Sequence, residues 1–177
     1  SCDQLEIKNV EVISTSPQVK QQIEHYLSQY NLGNIIVCDL NYLRSRLIRL
    51  PGVKEVRLEK ILPSELKVEV VPRIPRLYIH RGNYQLVDEE GEVIASYAEL
   101  PDVSWPLLQD SSGWRQNYKE KIALTCQALD RLQPALRARI WTIKLLDRSS
   151  LEIQLAGDPV KIMASDSNLA ESLDYYL

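Results

Sequence analysis

The chain has 177 residues, 45% of them hydrophobic and 25% charged. That ordinary globular composition excludes wholesale disorder and leaves room for one domain or two small ones. The net charge of −3 argues against a nonspecific nucleic-acid binder or a polybasic membrane-surface protein. No stretch approaches the roughly 18 apolar residues of a membrane span, and the opening SCDQLEIKNV lacks the basic and apolar regions of a secretion signal.

Residues 5–13 are rich in β-branched residues and alternate roughly, with a phase slip at Lys8-Asn9 that predicts a bulge or a late strand start. A helix follows, with Ser16 at its N-cap, Pro17 at its first position and Gly33 just past its end. Val19, Ile23, Tyr26, Leu27 and Tyr30 form its apolar stripe. Asp39 is placed to cap a second helix. Its Leu40, Leu43 and Leu47 face one way, Arg44, Arg46 and Arg49 lie mostly elsewhere, and Pro51-Gly52 ends it. Residues 53–61 and 65–71 then read as a hairpin turning at Pro63-Ser64. Leu66, Val68 and Val70 alternate with Lys67 and Glu69, the pattern of a half-buried strand.

A domain boundary is expected near Pro72, where Pro75 and the arginines at 73, 76 and 81 also cluster, which gives domains of 1–72 and 73–177. Strands are predicted around 76–80, 84–88 and 92–96, with Gly91 at the left-handed position of the hairpin loop 89–91. Residues 100–114 read as proline-punctuated loop or extended chain. Asn117 is expected to cap a third helix with the stripe Tyr118, Ile122, Cys126, Leu129 and Leu132, and Pro134 follows its end. Strands return in IWTIKLL, LEIQL and PVKIM. The tail SDSNLAESLDYYL has capping residues and then helical spacing of Leu169, Leu173, Tyr176 and Leu177. The fold class expected is α+β: a β-α-α-β-β domain followed by a β-rich domain with two helices.

No catalytic constellation is present. There is no GxSxG motif, P-loop or dinucleotide fingerprint. Cys2, Cys38 and Cys126 are odd in number and widely spaced, which suggests neither a disulfide framework nor a CxxC metal site. His25 and His80 lack partners at ligand spacing, so no metal is expected, and no cofactor. Asp88-Glu89-Glu90 reads as a solvated hairpin tip rather than a calcium loop. Trp105, Trp114 and Trp141 read as core and loop anchors in preference to a ligand platform. The basic clusters read as a solvated helix face and a polar domain junction. What the pattern offers instead is strands that can sit at sheet edges, where unpaired backbone groups are a template for a partner strand. A scaffold or adaptor follows, and not an enzyme.

The β-α-α-β-β order is that of a POTRA domain. Leu50-Pro51-Gly52-Val53, Leu62-Pro63-Ser64-Glu65-Leu66 and Pro72-Arg73-Ile74-Pro75 resemble the strand-entry, hairpin and exit motifs of the bacterial FtsQ/DivIB cell-division family. Gly52 and Leu62 stand where that family usually has tryptophan. Residues 84–93, YQLVDEEGEV, are similar to the family's following hairpin, and Leu100-Pro101 with Pro106-Leu107-Leu108 to its next loop. The resemblance covers nearly the whole chain. It implies the extracytoplasmic part of a non-catalytic septal protein, on the periplasmic or outer face of the plasma membrane. A membrane helix would precede Ser1. Members of the family commonly return from the last helix into a final strand, whereas this chain stops at Leu177, within or just after that helix. Partners of the FtsB and FtsL type would bind the second domain, with no nucleic acid involved. Val160, Ile162, Leu173, Tyr175 and Tyr176 are the expected apolar contacts. Arg44, Arg46 and Arg49 are the expected membrane-proximal contacts. A competing reading is a POTRA module of an outer-membrane assembly or two-partner secretion system.

Overall fold

The computed structural model describes residues 5–101, 104–114, 117–146, 150–165 and 168. The chain divides into two compact units, Ser1–Arg73 and Ile74–Leu177.

In the first unit, β1 (Asn9–Ser14) starts after the Lys8-Asn9 slip, as its phase predicts. Helix α1 (Pro17–Ser28) opens with the Ser16 side chain accepting from the Val19 N–H at 3.3 Å. It closes at Ser28, five residues before Gly33. There the chain straightens because its backbone is needed elsewhere: the Ile7 N–H donates to the Gly33 carbonyl, Ile35 N–H to Leu5, and Glu6 bridges Asn34. Helix α2 (Leu40–Leu47) is capped by the Asp39 carboxylate, which accepts from the N–H groups of Asn41 and Tyr42 at 3.0 Å each. Strands β2 (Val53–Ile61) and β3 (Glu65–Pro72) form the predicted hairpin.

The sheet order is β1-β3-β2, with β1 parallel and β2 antiparallel to the central β3. On one face Leu66, Val68 and Val70 pack with Val12, Val56, Ile23, Leu27, Leu43 and Leu47 into the unit's core. Removing these groups from water supplies the main driving force for joining helices to sheet. On the other face the register sets Lys67 beside Glu11 and Glu59, and Arg57 beside Glu69. Lys67 also pairs with Glu69 at 2.8 Å, which holds the Glu69 carboxyl below its usual range.

The second unit is a seven-stranded sheet. It contains β4 (Leu77–Arg81), β5 (Asn83–Val87), β6 (Val93–Tyr97), β7 (Leu107–Asp110), β8 (Ile140–Leu145), β9 (Ser150–Leu155) and β10 (Lys161–Ser165). Their order is β10-β9-β8-β7-β4-β5-β6. Within the loop or extended chain expected over 100–114, residues Leu107–Asp110 form the strand β7. It runs parallel to both β4 and β8 at the middle of the sheet. Leu107 and Leu108 are consecutive and both buried, each serving a different face. A short strand buried on both faces shows no alternation to betray it.

Helix α3 (Tyr118–Asp130) and the one-turn α4 (Pro134–Arg137) follow β7. Ile122, Cys126 and Leu129 of α3 pack on one sheet face against Leu77, Ile79, Leu108, Ile143, Ile153 and Ile162. Asn117 stands at the predicted N-cap position, but its side chain caps nothing. Its φ of 53° is left-handed, a region asparagine tolerates better than most residues. On the opposite face Tyr78, Leu86 and Leu107 form a smaller cluster with Leu100 and Trp105 against it. The C-terminal helix expected over Leu169–Leu177 lies outside the described residues.

Candidate functional site

Within the second unit, Arg76 and Arg81 are engaged separately. Arg76 is largely spent inside the second unit. Its guanidinium bonds Asp130 at 2.5 Å, Glu89 at 3.4 Å and the Cys126 carbonyl at 3.3 Å, tying the start of β4 to the end of α3. Arg81 lies over the Tyr118 ring, 4.3 Å from its centroid, a favourable placement of a cation on a π face.

Asp88 corrects the reading of residues 88–90 as a solvated tip. It is 3% exposed, and its carboxylate accepts from the N–H groups of Glu90 and Glu92 at 3.0 and 2.9 Å. This is the aspartate turn motif, in which a short carboxylate replaces a backbone acceptor. Gly91 then takes the left-handed position expected of it, with φ of 74°. Asp110, at the end of β7, is likewise structural. Burial acts to raise its pKa, but hydrogen bonds from Lys121 Nζ at 2.5 Å and from the Ser112 hydroxyl and N–H outweigh this and hold the carboxyl low. Burial pushes the Cys126 thiol up to about 11, which leaves it an inert core thiol at neutral pH.

The tryptophans fall apart as a platform. Trp114 is buried in the α3-side core and Trp105 packs on the other face of the sheet, while Trp141 is 38% exposed. Among the described residues no three or more His, Cys, Asp or Glu side chains gather as a metal would require.

Among the described residues the seven-stranded sheet has two edges, β6 and β10, and the expected contact residues fall at β10. This strand pairs with β9 through Lys161–Gln154, Ile162–Ile153, Met163–Glu152 and Ala164–Leu151, and among the described residues it has no strand on its other side. Its side chains alternate cleanly: Ile162 and Ala164 are buried, while Lys161 and Met163 are exposed. Of the expected contact residues, Val160 is 45% exposed and Ile162 only 5%. Ile162 therefore spends its side chain on the core, and its backbone faces β9; the alternate residues Lys161 and Met163 turn theirs to the open side. Met163, 58% exposed on the same strand, is not among the expected contacts; its alternation with Ile162 is the sequence signal for it. Leu173, Tyr175 and Tyr176 lie outside the described residues. Arg44, Arg46 and Arg49 are all exposed, on α2 and just after it. The Arg46 Nε–H donates to the Tyr26 hydroxyl at 3.4 Å.

The sequence model of the family described as "Cell division protein FtsQ/DivIB, C-terminal" matches residues 77–177. The chain belongs to this family. The FtsQ-type POTRA domain matches residues 5–73, the unit with the β-α-α-β-β order. Both units are therefore accounted for within one family, which removes the support for the outer-membrane assembly reading. The cell division protein FtsQ of Zymomonas mobilis is 27% identical over 137 residues, 76% of this chain and 42% of that protein. That of Coxiella burnetii is 21% identical over 175 residues, 98% of this chain and 69% of that protein. The chain thus spans less than half of the first relative and about two thirds of the second. The major extracytoplasmic domain of the cell division protein DivIB from Geobacillus stearothermophilus is 19% identical, with a TM-score of 0.45, over 58% of this chain and 86% of that one.

Proposed function

We propose that the chain is the extracytoplasmic part of a membrane-anchored, non-catalytic scaffold of the division machinery. It binds proteins of the FtsB and FtsL type and so helps localise and regulate septal peptidoglycan synthesis. The observation that carries this reading is the edge of the seven-stranded sheet. Strand β10 is regular and held firmly from one side by β9 and by the buried Ile162 and Ala164. Along its free side the backbone can pair with a partner strand, while exposed side chains select the sequence of that strand. Val160, the exposed Met163 and the strand that carries Ile162 lie at this edge, and Leu173, Tyr175 and Tyr176 belong to the same proposed docking surface.

Affinity for the FtsB-type protein of the same organism tests this reading. Ile162 is a poor test position, since a charge there would enter the core. Val160→Asp and Met163→Pro act on the edge with less disturbance of the core. Each is expected to weaken binding about tenfold or more, because a proline removes a backbone donor and its ring obstructs an added strand. Unchanged affinity in folded Val160→Asp and Met163→Pro proteins would remove β10 as the docking edge.

The second part of the proposal places Arg44, Arg46 and Arg49 toward the membrane surface. Each such cation contributes up to about 1 kcal/mol near an anionic bilayer. Replacing all three by Gln is expected to lower co-sedimentation with anionic liposomes several-fold. Equal sedimentation of the variant would assign these arginines to a solvated helix face instead. Among the described residues no helix is long and apolar enough to cross a membrane, so anchoring belongs to sequence other than these helices.

A further inference from the structure

Among the described residues, the three most exposed large apolar side chains of the first unit are Val37 at 78%, Leu62 at 68% and Ile36 at 61%. All three stand at one end of that unit. The Lys60 Nζ donates to the Ile36 carbonyl at 3.1 Å, which ties the turn at 34–38 to the end of β2, and Leu62 follows β2 directly. The N-terminal segment reaches the same end. There the Ile35 N–H donates to the Leu5 carbonyl, the Ile7 N–H to Gly33 and the Lys8 N–H to Ser64. Exposed apolar side chains are ordinarily scattered singly, and a cluster of them rimmed by polar groups marks a contact with a protein or a membrane.

The rim distinguishes those two. Helix α2 starts beside the turn at Leu40 and runs away from this end, because it leads through Leu50 to Val53 at the start of β2. At about 1.5 Å per residue, Tyr42 stands about 3 Å, Arg44 about 6 Å and Arg46 about 9 Å along the helix from Leu40. Aliphatic, aromatic and cationic side chains therefore follow one another away from the tip. A bilayer interface takes side chains in that order, with alkyl groups deepest, tyrosine at the headgroups and arginine at the phosphates. Arg46 is held in its layer by the Tyr26 hydroxyl at 3.4 Å, and Tyr26 stacks on Tyr30 with ring centroids 6.2 Å apart.

The charge agrees with an anionic surface. From His25 to Lys54 the one acid is Asp39, against Arg44, Arg46, Arg49 and Lys54. The Asp39 carboxylate is engaged by the N–H groups of Asn41 and Tyr42. At the tip itself Glu6 and Glu65 are matched by Lys8 and Lys60, so the grip there is apolar. We propose that the first unit seats this end in the interfacial layer of an anionic bilayer, with Val37, Ile36 and Leu62 inserted, Tyr42 among the headgroups and Arg44 and Arg46 at the phosphates. The proposal rests on the reading of the chain as membrane-anchored and deepens its arginine contact, since insertion fixes which end of the unit meets the membrane.

The test uses the whole chain and vesicles of phosphatidylglycerol with phosphatidylethanolamine, carrying brominated acyl chains as the quencher. Val37→Trp places a reporter at the tip. Val71→Trp places one toward the other end of β3, at a residue that is also exposed. The three native tryptophans all fall in the second unit, and the unaltered chain supplies their baseline. The added emission of Val37→Trp is expected to shift to shorter wavelength and be quenched, and that of Val71→Trp to do neither. Val37→Asp should lower co-sedimentation about tenfold, the worth of one buried valine side chain. An unchanged urea midpoint shows that this variant is folded. Equal co-sedimentation of Val37→Asp, no quenching of Val37→Trp on vesicles that sediment the chain, or quenching of Val71→Trp in its place would overturn the proposal and leave the apolar end to a protein partner. If replacing Arg44, Arg46 and Arg49 by Gln lowers sedimentation while Val37→Asp does not, the arginine contact stands and insertion alone is lost. Failure of the unaltered chain to sediment at millimolar lipid would remove both.

Discussion

The two sheets of this chain are finished differently. The three-stranded sheet of the POTRA unit carries both of its helices on one face, and its other face is a ladder of opposite charges around Lys67 and Arg57. The seven-stranded sheet is covered along one face by α3, but on the other only β4, β5 and β7 lie under the Tyr78–Leu107 cluster. Over β8–β10 that second face presents half-exposed Lys144, Glu152 and Gln154 and exposed Met163, and among the described residues the sheet ends in β10. On the first sheet the exposed apolar side chains Ile13, Ile61 and Val71 are interspersed with that charge. A sheet that leaves a regular strand and mixed polar and apolar side chains at its margin retains the means to bind.

The sharpest way to break this comparison is to empty each core in turn. Leu43→Ala in the first unit and Ile143→Ala in the second each remove a fully buried side chain and should cost about 3 kcal/mol. All three tryptophans fall in the second unit, so their emission reports it selectively, while far-UV circular dichroism reports both. Ile143→Ala is expected to lower the urea midpoint of the fluorescence transition, and Leu43→Ala to lower only part of the dichroism transition. Coincident shifts in both probes for both variants would contradict separate cores.

A smaller effect separates the units through their helix starts. Ser16 and Asp39 each satisfy free N–H groups by side-chain hydrogen bonds, so either residue replaced by Ala should cost about 1 kcal/mol. Asn117 makes no such bond and holds a left-handed φ, so Asn117→Gly should cost close to nothing, glycine adopting that conformation freely. Urea denaturation of the three variants measures this, and a loss at Asn117→Gly as large as at Ser16→Ala would show that the asparagine side chain does more than fit its backbone.

The first unit was legible because its signals are local. Leu66, Val68 and Val70 alternate, Ser16 and Asp39 are capping types in the right places, and Pro51-Gly52 stops a helix whatever surrounds it. The second unit depends on pairing between distant residues. Nothing in Leu107-Leu108 announces a central strand, because both neighbours and both covering faces come from elsewhere in the chain. Asp88 shared its run with two exposed glutamates, and only the turn geometry distinguishes it. The hairpins around β5 and β9 were visible, yet which strands become edges is a property of the sheet order and not of any one strand's pattern. For that reason the sequence groups Val160 with Ile162 although only one of the two side chains faces outward, and Met163 stands out only once β10 is an edge.

The central claim is that the seven-stranded sheet accepts a partner strand at β10. Amide hydrogen exchange of the chain, with and without the FtsB-type protein of the same organism, compares the sheet's two margins within one experiment. The account predicts slower exchange at residues 161–165 on binding and unchanged exchange at residues 93–97 in β6. Protection at β6 with none at β10 would contradict it.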